Sequence, residues 1–312
     1  MTGDRRALAR LLTLIEREGS EVPDIMRSIH RHTGRAYCIG VTGPPGAGKS
    51  TLVDQLTARF RADSEGTDGT TPKVSILAAD PTSPFSGGAI LADRIRMQRH
   101  YQDPQVFIRS MATRGSQGGL PRATRRAVKL LDAYGSDLIL VETVGVGQAE
   151  LDIMDVADTV VVVLVPEGGD SIQAMKAGLM EIADVFVINK ADRPGADIVM
   201  KDITAMLGLD SRERSWTPPV LATQAHQATG VEELARAIEE HRKSSEGTGQ
   251  LMERRRARRR HEFFQTIREQ AVKEVQRLSA ADGRLASLLN EVESDKIDPY
   301  TAALRAIKER AS

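Results

Sequence analysis

A short glycine-rich loop constrains the fold of this chain more than any other feature. It follows the apolar run Tyr37–Val41 and reads GPPGAGKST, which matches the pattern G-x-x-x-x-G-K-[ST]. Glycines let such a loop turn its backbone N–H groups towards a polyphosphate, and the helix expected after it presents the positive end of its dipole. The sequence therefore predicts a nucleoside triphosphate site, formed by Gly43, Pro44, Pro45, Gly46, Ala47, Gly48, Lys49, Ser50 and Thr51.

The base of the nucleotide is predicted from a second motif. Asn189, Lys190, Ala191 and Asp192 follow the apolar run Val185–Ile188. A carboxylate beside the base can accept two hydrogen bonds from guanine, whereas adenine offers no such pair of donors and would leave the carboxylate unpaired. Downstream of a phosphate loop, this tetrapeptide predicts GTP rather than ATP.

Phosphate and magnesium contacts are expected from side chains next to the loop and at a strand end. Lys49 should reach the β- and γ-phosphates, and the Ser50 hydroxyl can bind Mg²⁺. Glu142 ends an apolar run three residues before Gly145. Its carboxylate can hold the ion through water, and the Gly145 N–H can contact the γ-phosphate.

Two aspartates are further candidates for the metal site. Asp80 ends the second apolar run, and Asp93 lies in the glycine-containing stretch that follows it. Such a loop suits a segment that Mg²⁺ and the γ-phosphate order, although Asp93 could equally be an acid placed at a helix N-terminus. No residue is assigned to position the attacking water, so slow hydrolysis that a partner accelerates is expected.

Composition excludes several classes of protein. The 312 residues include 43 basic and 43 acidic side chains, so no net charge drives the chain onto nucleic acid or a membrane. The single cysteine, Cys38, cannot form an internal disulfide or a CxxC metal site. The longest apolar run, Thr159–Pro166, is too short to cross a bilayer, and the acidic residues near the N-terminus argue against a signal peptide. A cytoplasmic protein is predicted.

The fold class is predicted from short β-branched runs that alternate with helical stretches. Several runs are apolar throughout, which is typical of a parallel sheet covered on both faces. We expect a P-loop NTPase with a doubly wound, mostly parallel sheet, whose ligand loops follow the carboxyl ends of the strands. The predicted strands are Tyr37–Thr42, Val74–Ala79, Val106–Arg109, Leu138–Thr143, Thr159–Val165, Val185–Ile188 and Val220–Ala222.

Helical extensions are predicted on both sides of this domain. Apolar residues recur at helical spacing within residues 1–34, which indicates a pair of helices before the GTP-binding domain of residues 35–243. The polar stretch Ser244–Gln250 resembles a linker. Residues 244–312 beyond the domain should form amphipathic helices, which either pack on the same chain or serve as a dimerisation arm.

The motifs together resemble one family. GPPGAGKST, DPTSPFSGGAILADRIRM, ETVGVGQAE and EGGDSIQAMKAGLMEIADVFVINKAD are similar to segments of the MeaB/ArgK GTPases, which are associated with adenosylcobalamin-dependent acyl-CoA mutases. The resemblance implies a homodimeric chaperone that guards cofactor loading and reactivation of such a mutase. It also implies that Asp80, Asp93 and Glu142 are the Mg²⁺ and catalytic carboxylates, which would act together with the catalytic Lys49 of the phosphate loop.

The resemblance assigns two further segments. Residues 168–178 would be a partner-sensing switch that contains Gln173 and Lys176, and Gly168 with Gly169 suits a hinge. In the loop that contacts the base, the family usually has Ser-Ala, whereas this chain has Gln224 and Ala225 before His226. The Ala225 N–H is still expected to reach the guanine oxygen.

Two other functions remain open at this point. A nickel-delivery GTPase would need Cys and His ligands, and the histidines offer only the spacing His30-x-His32, which is more typical of a solvated helix end. An RNA-binding GTPase is suggested by six arginines within Arg254–Arg260, but no interleaved aromatic residues accompany them. An acidic protein partner or a solvated helix face fits that run better, so nucleic acid and membrane are not expected as partners.

Overall fold

In a computed structural model of the chain, a seven-stranded parallel sheet forms the centre of the nucleotide-binding domain. The structure describes residues 4–62, 71–80, 97–112, 122–143, 151–167, 178–209, 215–281 and 283–308. The strands lie in the order β3-β2-β4-β1-β5-β6-β7. They are β1 (Tyr37–Thr42), β2 (Val74–Asp80), β3 (Val106–Ala112), β4 (Leu138–Glu142), β5 (Thr159–Leu164), β6 (Val185–Asn189) and β7 (Val220–Thr223).

Strand order confirms the predicted fold class. The central strand β1 pairs in parallel with β4 on one side and with β5 on the other. These three strands are buried along their whole length, as their uninterrupted apolar runs predict. Because every strand runs in the same direction, the loops that follow β1, β4 and β6 meet at one edge of the sheet.

Helices cover both faces of the sheet. One apolar cluster contains Leu12 and Leu131 from two helices on the first face, and a second cluster contains Leu52 and Leu234 from helices on the other face. Single helical turns occur at His30–His32, Gln98–His100, Asp152–Asp155, Met180–Ile182 and Ala225–Gln227. The longer helices are α1 (Arg5–Glu16), α2 (Val22–Ile29), α3 (Lys49–Ala62), α4 (Arg122–Tyr134), α5 (Ala196–Leu209), α6 (Val231–Gly247), α7 (Gln250–Ala281), α8 (Gly283–Glu293) and α9 (Pro299–Lys308).

The N-terminal helical pair is part of the domain core. Asp4 caps α1 by accepting hydrogen bonds from the backbone N–H groups of Arg6 and Ala7. Leu8, Leu12 and Ile15 of α1 are buried in the same apolar cluster as the sheet. The residues predicted as an extension, 1–34, therefore belong to one compact unit that runs from Met1 to Arg254.

The predicted linker is wrong for most of its length. Helix α6 continues to Gly247 and α7 begins at Gln250, so only Thr248 and Gly249 interrupt the helices. Gly249 has φ +77°, a conformation that ends helices and favours glycine. Polar composition suggested a loop, but Ser245 is buried and its hydroxyl bonds the Arg242 carbonyl, so this polar residue is accommodated within the helix.

The second compact unit, Arg255–Ser312, contains most of α7 together with α8 and α9. Its helices were predicted in outline, except that α9 has no counterpart among the predicted elements. Phe263 and Phe264 on α7 meet edge to face, with ring centroids 5.5 Å apart. None of the helices that the structure describes is both long and apolar enough to cross a membrane.

Candidate nucleotide-binding site

The phosphate loop has a backbone that only glycine permits at two positions. Gly43 has φ +137°, and a Cβ atom there would lie 2.0 Å from the Val163 carbonyl oxygen of β5. Gly48 has φ +86°, and its Cβ would lie 2.4 Å from the Asn189 side-chain nitrogen. Both distances are far inside van der Waals contact. The loop can follow this path only because these residues lack a side chain.

Lys49 begins helix α3 and is buried, with its ammonium group against the loop. Its Nζ donates hydrogen bonds to the carbonyl oxygens of Gly43, at 2.8 Å, and Pro44, at 3.0 Å. The residue is only 5% exposed, and burying a cation is costly unless partners compensate for lost water. A buried ammonium at the first turn of the loop's helix is suited to a bound anion.

Ser50 and Glu142 join the loop to the end of β4. The Ser50 Oγ donates a 2.6 Å hydrogen bond to Glu142 Oε1, and both residues are buried. Glu142 is therefore not a solvated strand-end residue, even though its position at the end of β4 allowed that interpretation. A hydroxyl and a carboxylate are hard oxygen ligands of the kind that Mg²⁺ prefers, so this pair fits the predicted metal site.

Asn189 connects three loops through its side-chain amide. Its Nδ2 donates to the Ala47 carbonyl at 2.7 Å, which lies within the phosphate loop. Its Oδ1 accepts from the Thr223 hydroxyl at 3.1 Å and from the Ala225 N–H at 3.0 Å. We predicted Asn189 only as part of the guanine motif. The structure places Asn189 between the phosphate loop and the loop after β7, and its side-chain hydrogen bonds join these two loops.

The predicted base-contacting residues lie in turns beside Asn189. Lys190 has φ +57°, and the Ala191 N–H donates to the Thr223 carbonyl at 3.0 Å. Asp192 and His226 are exposed, so Asp192 is accessible to a base. The Gln224 N–H bonds the Thr229 carbonyl, and the Ala225 N–H is directed to Asn189. The expected contact of that N–H with guanine stays a prediction.

Several predicted site residues lie outside the described parts of the chain. Asp80 ends β2, which pairs with β4 so that Ala78 is the register partner of Glu142. Its backbone therefore lies at the same edge of the sheet as Glu142, while its side chain is outside the description. The other residues beyond the described ranges are Asp93, Gly145, Gln173 and Lys176.

Two threonines next to the motifs were not predicted as site residues. Thr42 and Thr143 are both buried, and their hydroxyl oxygens are 3.0 Å apart. Thr42 directly precedes the phosphate loop, and Thr143 directly follows Glu142. Their positions at the ends of two strands predicted to carry ligand loops were the signal that could have identified them.

In the described part of the chain, side chains that could bind a metal ion do not form a cluster. Within those ranges, no group of three His, Cys, Asp or Glu residues lies close enough to hold a metal ion. His30 and His32 are exposed on the helical turn that follows α2. Their position fits the solvated helix end that their spacing indicated.

Comparisons with known proteins extend over nearly the whole chain. The family described as "Methylmalonyl Co-A mutase-associated GTPase MeaB" matches residues 8–280. A protein of Pyrococcus abyssi (strain GE5 / Orsay) whose name describes it as a GTPase is 52% identical over 310 residues, with 98% of this chain and 93% of the relative covered. The mitochondrial "Methylmalonic aciduria type A homolog" of Mus musculus is 30% identical over 329 residues, with 99% and 78% covered.

A solved structure agrees with these similarities. The crystal structure described as "LAO/AO transport system kinase" matches with a TM-score of 0.69 and 25% identity, and the match covers 99% of this chain and 94% of that chain. The family predicted from the sequence motifs is confirmed. With its phosphate loop, its buried Ser50–Glu142 pair and its guanine motif, this chain is a P-loop GTPase that belongs to the MeaB family.

Proposed function

We propose that this GTPase is a chaperone for an adenosylcobalamin-dependent acyl-CoA mutase, and that GTP hydrolysis gates the loading or reactivation of the mutase cofactor. The observation that carries this proposal is the family match over residues 8–280, since the family is described as mutase-associated. The similarity to the "Methylmalonic aciduria type A homolog" supports the same partner.

Mg²⁺ is part of the proposed function. The Ser50 hydroxyl and the Glu142 carboxylate would hold it, with the Asp80 and Asp93 carboxylates as the additional predicted ligands. When bound, the ion would neutralise charge that develops on the β- and γ-phosphate oxygens. Lys49 would contribute a second positive charge, because its buried ammonium lies within the phosphate loop.

The protein's own residues would mainly bind and orient GTP. Backbone N–H groups of the phosphate loop and the N-terminus of α3 would bind the phosphates. Asp192 would accept hydrogen bonds from guanine, and Asn189 would keep the base loop in register with the phosphate loop. Phosphoryl transfer depends chiefly on positioning and charge, so this arrangement suits hydrolysis whose rate a partner can raise.

Coupling to the partner is assigned to residues 168–178. Gln173 and Lys176 would contact nucleotide or mutase in only one of two conformations, which is the requirement for a switch. We further propose that the chain acts in the cytoplasm as a homodimer, with the helices of residues 244–312 as the dimerisation arm. Nickel delivery and RNA binding are the competing functions, and no observation on the described residues favours either.

The test is a GTPase assay with a purified adenosylcobalamin-dependent acyl-CoA mutase. The mutase should raise the hydrolysis rate by about tenfold or more, as partners of slow GTPases do. An acyl-CoA enzyme without cobalamin serves as the control and should leave the rate unchanged. The proposal is contradicted if the mutase neither stimulates hydrolysis nor forms a complex at micromolar concentration. A pull-down with and without nuclease separates a mutase complex from RNA binding.

A further inference from the structure

Two consecutive residues join the end of β4 to the phosphate loop and to the end of β1. Glu142 accepts the hydrogen bond of Ser50 at 2.6 Å. Thr143, the next residue, has its hydroxyl 3.0 Å from that of Thr42 and donates its N–H to the Val41 carbonyl at 3.1 Å. The first contact involves two groups expected at magnesium, whereas the second joins two hydroxyl groups to each other.

The two contacts lie on opposite faces of the sheet. Val41 and Glu142 are register partners of β1 and β4. Thr42 is the last residue of β1, and Thr143 directly follows β4, where its N–H still bonds the Val41 carbonyl. Side chains that follow each other along a strand point to opposite faces, and Glu142 points to the face that carries α3 and Ser50. The threonine pair therefore contacts the strand end from the other face.

The contact between Thr42 and Thr143 is shielded from solvent. Thr42 and Thr143 are 0% and 2% exposed, so water does not compete for their hydroxyls. A buried hydroxyl needs a hydrogen-bond partner, and the distance and direction of that bond restrict the backbone on both strands. We propose that the Thr42–Thr143 pair is a positioning contact for GTP hydrolysis, which sets the start of the segment that follows β4 relative to the phosphate loop.

This inference rests on the GTPase activity and on the expected γ-phosphate contact of Gly145, two residues beyond Thr143. It does not depend on the mutase, because basal hydrolysis tests it. GDP has no γ-phosphate, so loss of the contact should change hydrolysis and leave GDP affinity nearly intact. A general disturbance of the phosphate loop would weaken both.

The experiment compares Thr143→Val, Thr42→Val, the double variant and Thr143→Ser in single-turnover hydrolysis and in GDP titration. Valine keeps the branched shape but removes the hydroxyl. Thr143→Val should slow hydrolysis about tenfold with the Kd for GDP within about twofold, since small misplacements near a reacting group lower rates steeply. Thr143→Ser keeps the hydroxyl and should recover most of the rate. The double variant should be as slow as Thr143→Val, because both substitutions remove the same contact.

Thr57→Val is the matched control. Thr57 is a fully buried threonine of α3 whose hydroxyl bonds the Val53 carbonyl of its own helix, at 2.8 Å. It should hydrolyse GTP like the wild type. Wild-type hydrolysis by Thr143→Val, or recovery of the rate in the double variant, would overturn the inference, as would an equal loss of GDP affinity. If Thr143→Val does not fold, Thr42→Val carries the test, because it removes the same contact from the other strand.

Discussion

The two edges of the sheet bury polar side chains for different purposes. At the carboxyl edge, Ser50, Glu142 and Asn189 link loops around the nucleotide site, and glycines hold those loops in conformations that other residues avoid. At the amino edge, a polar network joins the first residues of β1 and β5 to helix α6. No ligand is expected there, because ligands of such sheets bind at the carboxyl ends of the strands.

Hydrogen bonds connect the members of the amino-edge network in sequence. The Tyr37 hydroxyl lies 2.6 Å from the Thr159 hydroxyl, which lies 2.8 Å from His241 Nδ1. On the other side of the ring, His241 Nε2 lies 3.2 Å from Asp184 Oδ1. The Arg254 guanidinium approaches both Asp184 oxygens, at 3.0 and 3.2 Å. These groups contact one another inside the protein.

Contacts within this network shift the pKa values of Asp184 and Tyr37. Burial alone would raise the pKa of Asp184, but the nearby His241, the Arg254 charge and the Val160 N–H outweigh it and lower the pKa below its usual value. Burial raises the pKa of Tyr37 to about 12, although its hydrogen bond to Thr159 opposes the shift. We infer that the amino edge stabilises the fold, whereas the polar groups at the carboxyl edge would bind the nucleotide.

The largest expected effect is at the carboxyl edge. Lys49→Ala should lower GTP turnover about 10³-fold, because it removes a preorganised positive charge from the phosphates. Thermal unfolding should change little, since the lysine contacts loop carbonyls rather than the core. The exposed Lys201→Ala on α5 is the matched control in steady-state kinetics. A large loss of stability with Lys49→Ala would contradict the inference that the two edges have different roles.

At the amino edge, a substitution should lower the stability of the protein and leave nucleotide binding unchanged. Asp184→Ala should lower the free energy of unfolding by about 3–5 kcal/mol, because it leaves the buried His241 and the Arg254 charge without their partner. GDP affinity should stay close to that of the wild type. Chemical denaturation and fluorescent-nucleotide titration measure the two quantities, with Asp24→Ala, from an exposed ion pair, as the control. A parallel loss of nucleotide affinity would contradict the comparison.

The stability difference between the wild type and Asp184→Ala should also depend on pH. A carboxyl group whose pKa is lowered in the folded state stabilises the protein above its unfolded pKa of about 3.9 and loses that contribution as the pH falls through the folded pKa. The stability difference between the wild type and Asp184→Ala should therefore be constant at neutral pH and shrink below about pH 4. A difference that already shrinks between pH 8 and 6 would show that ionisation of Asp184 does not account for it.

Base specificity provides a separate test of the residues assigned to the nucleotide site at the carboxyl edge. Asp192→Asn should weaken GTP binding by about 2–4 kcal/mol, since one acceptor facing guanine becomes a donor. The same change should improve binding of xanthosine triphosphate, whose base presents the complementary acceptor. Asp192 is exposed, so folding should be unaffected. Unchanged GTP affinity in the titration would show that the guanine assignment is wrong.

The sequence predicted those features that depend on a local pattern. The apolar runs predicted all seven strands, and the phosphate loop and the NKAD tetrapeptide were assigned from their residue patterns and from the apolar run before each. The resemblance to a GTPase family was also carried by short motifs, and it is confirmed. Each of these signals lies within one continuous segment of the chain, where steric and periodic rules act directly.

Contacts between distant residues could not be predicted in this way. Thr42 and Thr143 are 101 positions apart, and Thr159 and His241 are 82 apart. The strand order brings the first pair together, and the packing of α6 on β5 brings the second pair together. The linker prediction failed for a related reason: polar Ser244 and Ser245 look like loop residues, but buried hydroxyl and backbone hydrogen bonds accommodate them in α6. Composition does not show which polar groups find partners inside the fold.

The smallest expected effect tests whether the amino edge acts only on stability. Tyr37→Phe removes one buried hydrogen bond to Thr159 and should lower the free energy of unfolding by about 1 kcal/mol at pH 8. Because the Tyr37 pKa is raised from 10.0 to about 12, the neutral hydroxyl stabilises the fold below pH 10, and that contribution is lost as the pH rises towards 12. The difference between wild type and Tyr37→Phe should therefore narrow in denaturation experiments above pH 10. GTP turnover at pH 8 should be the same in both proteins, and a slower variant would show that the amino edge also controls the nucleotide site.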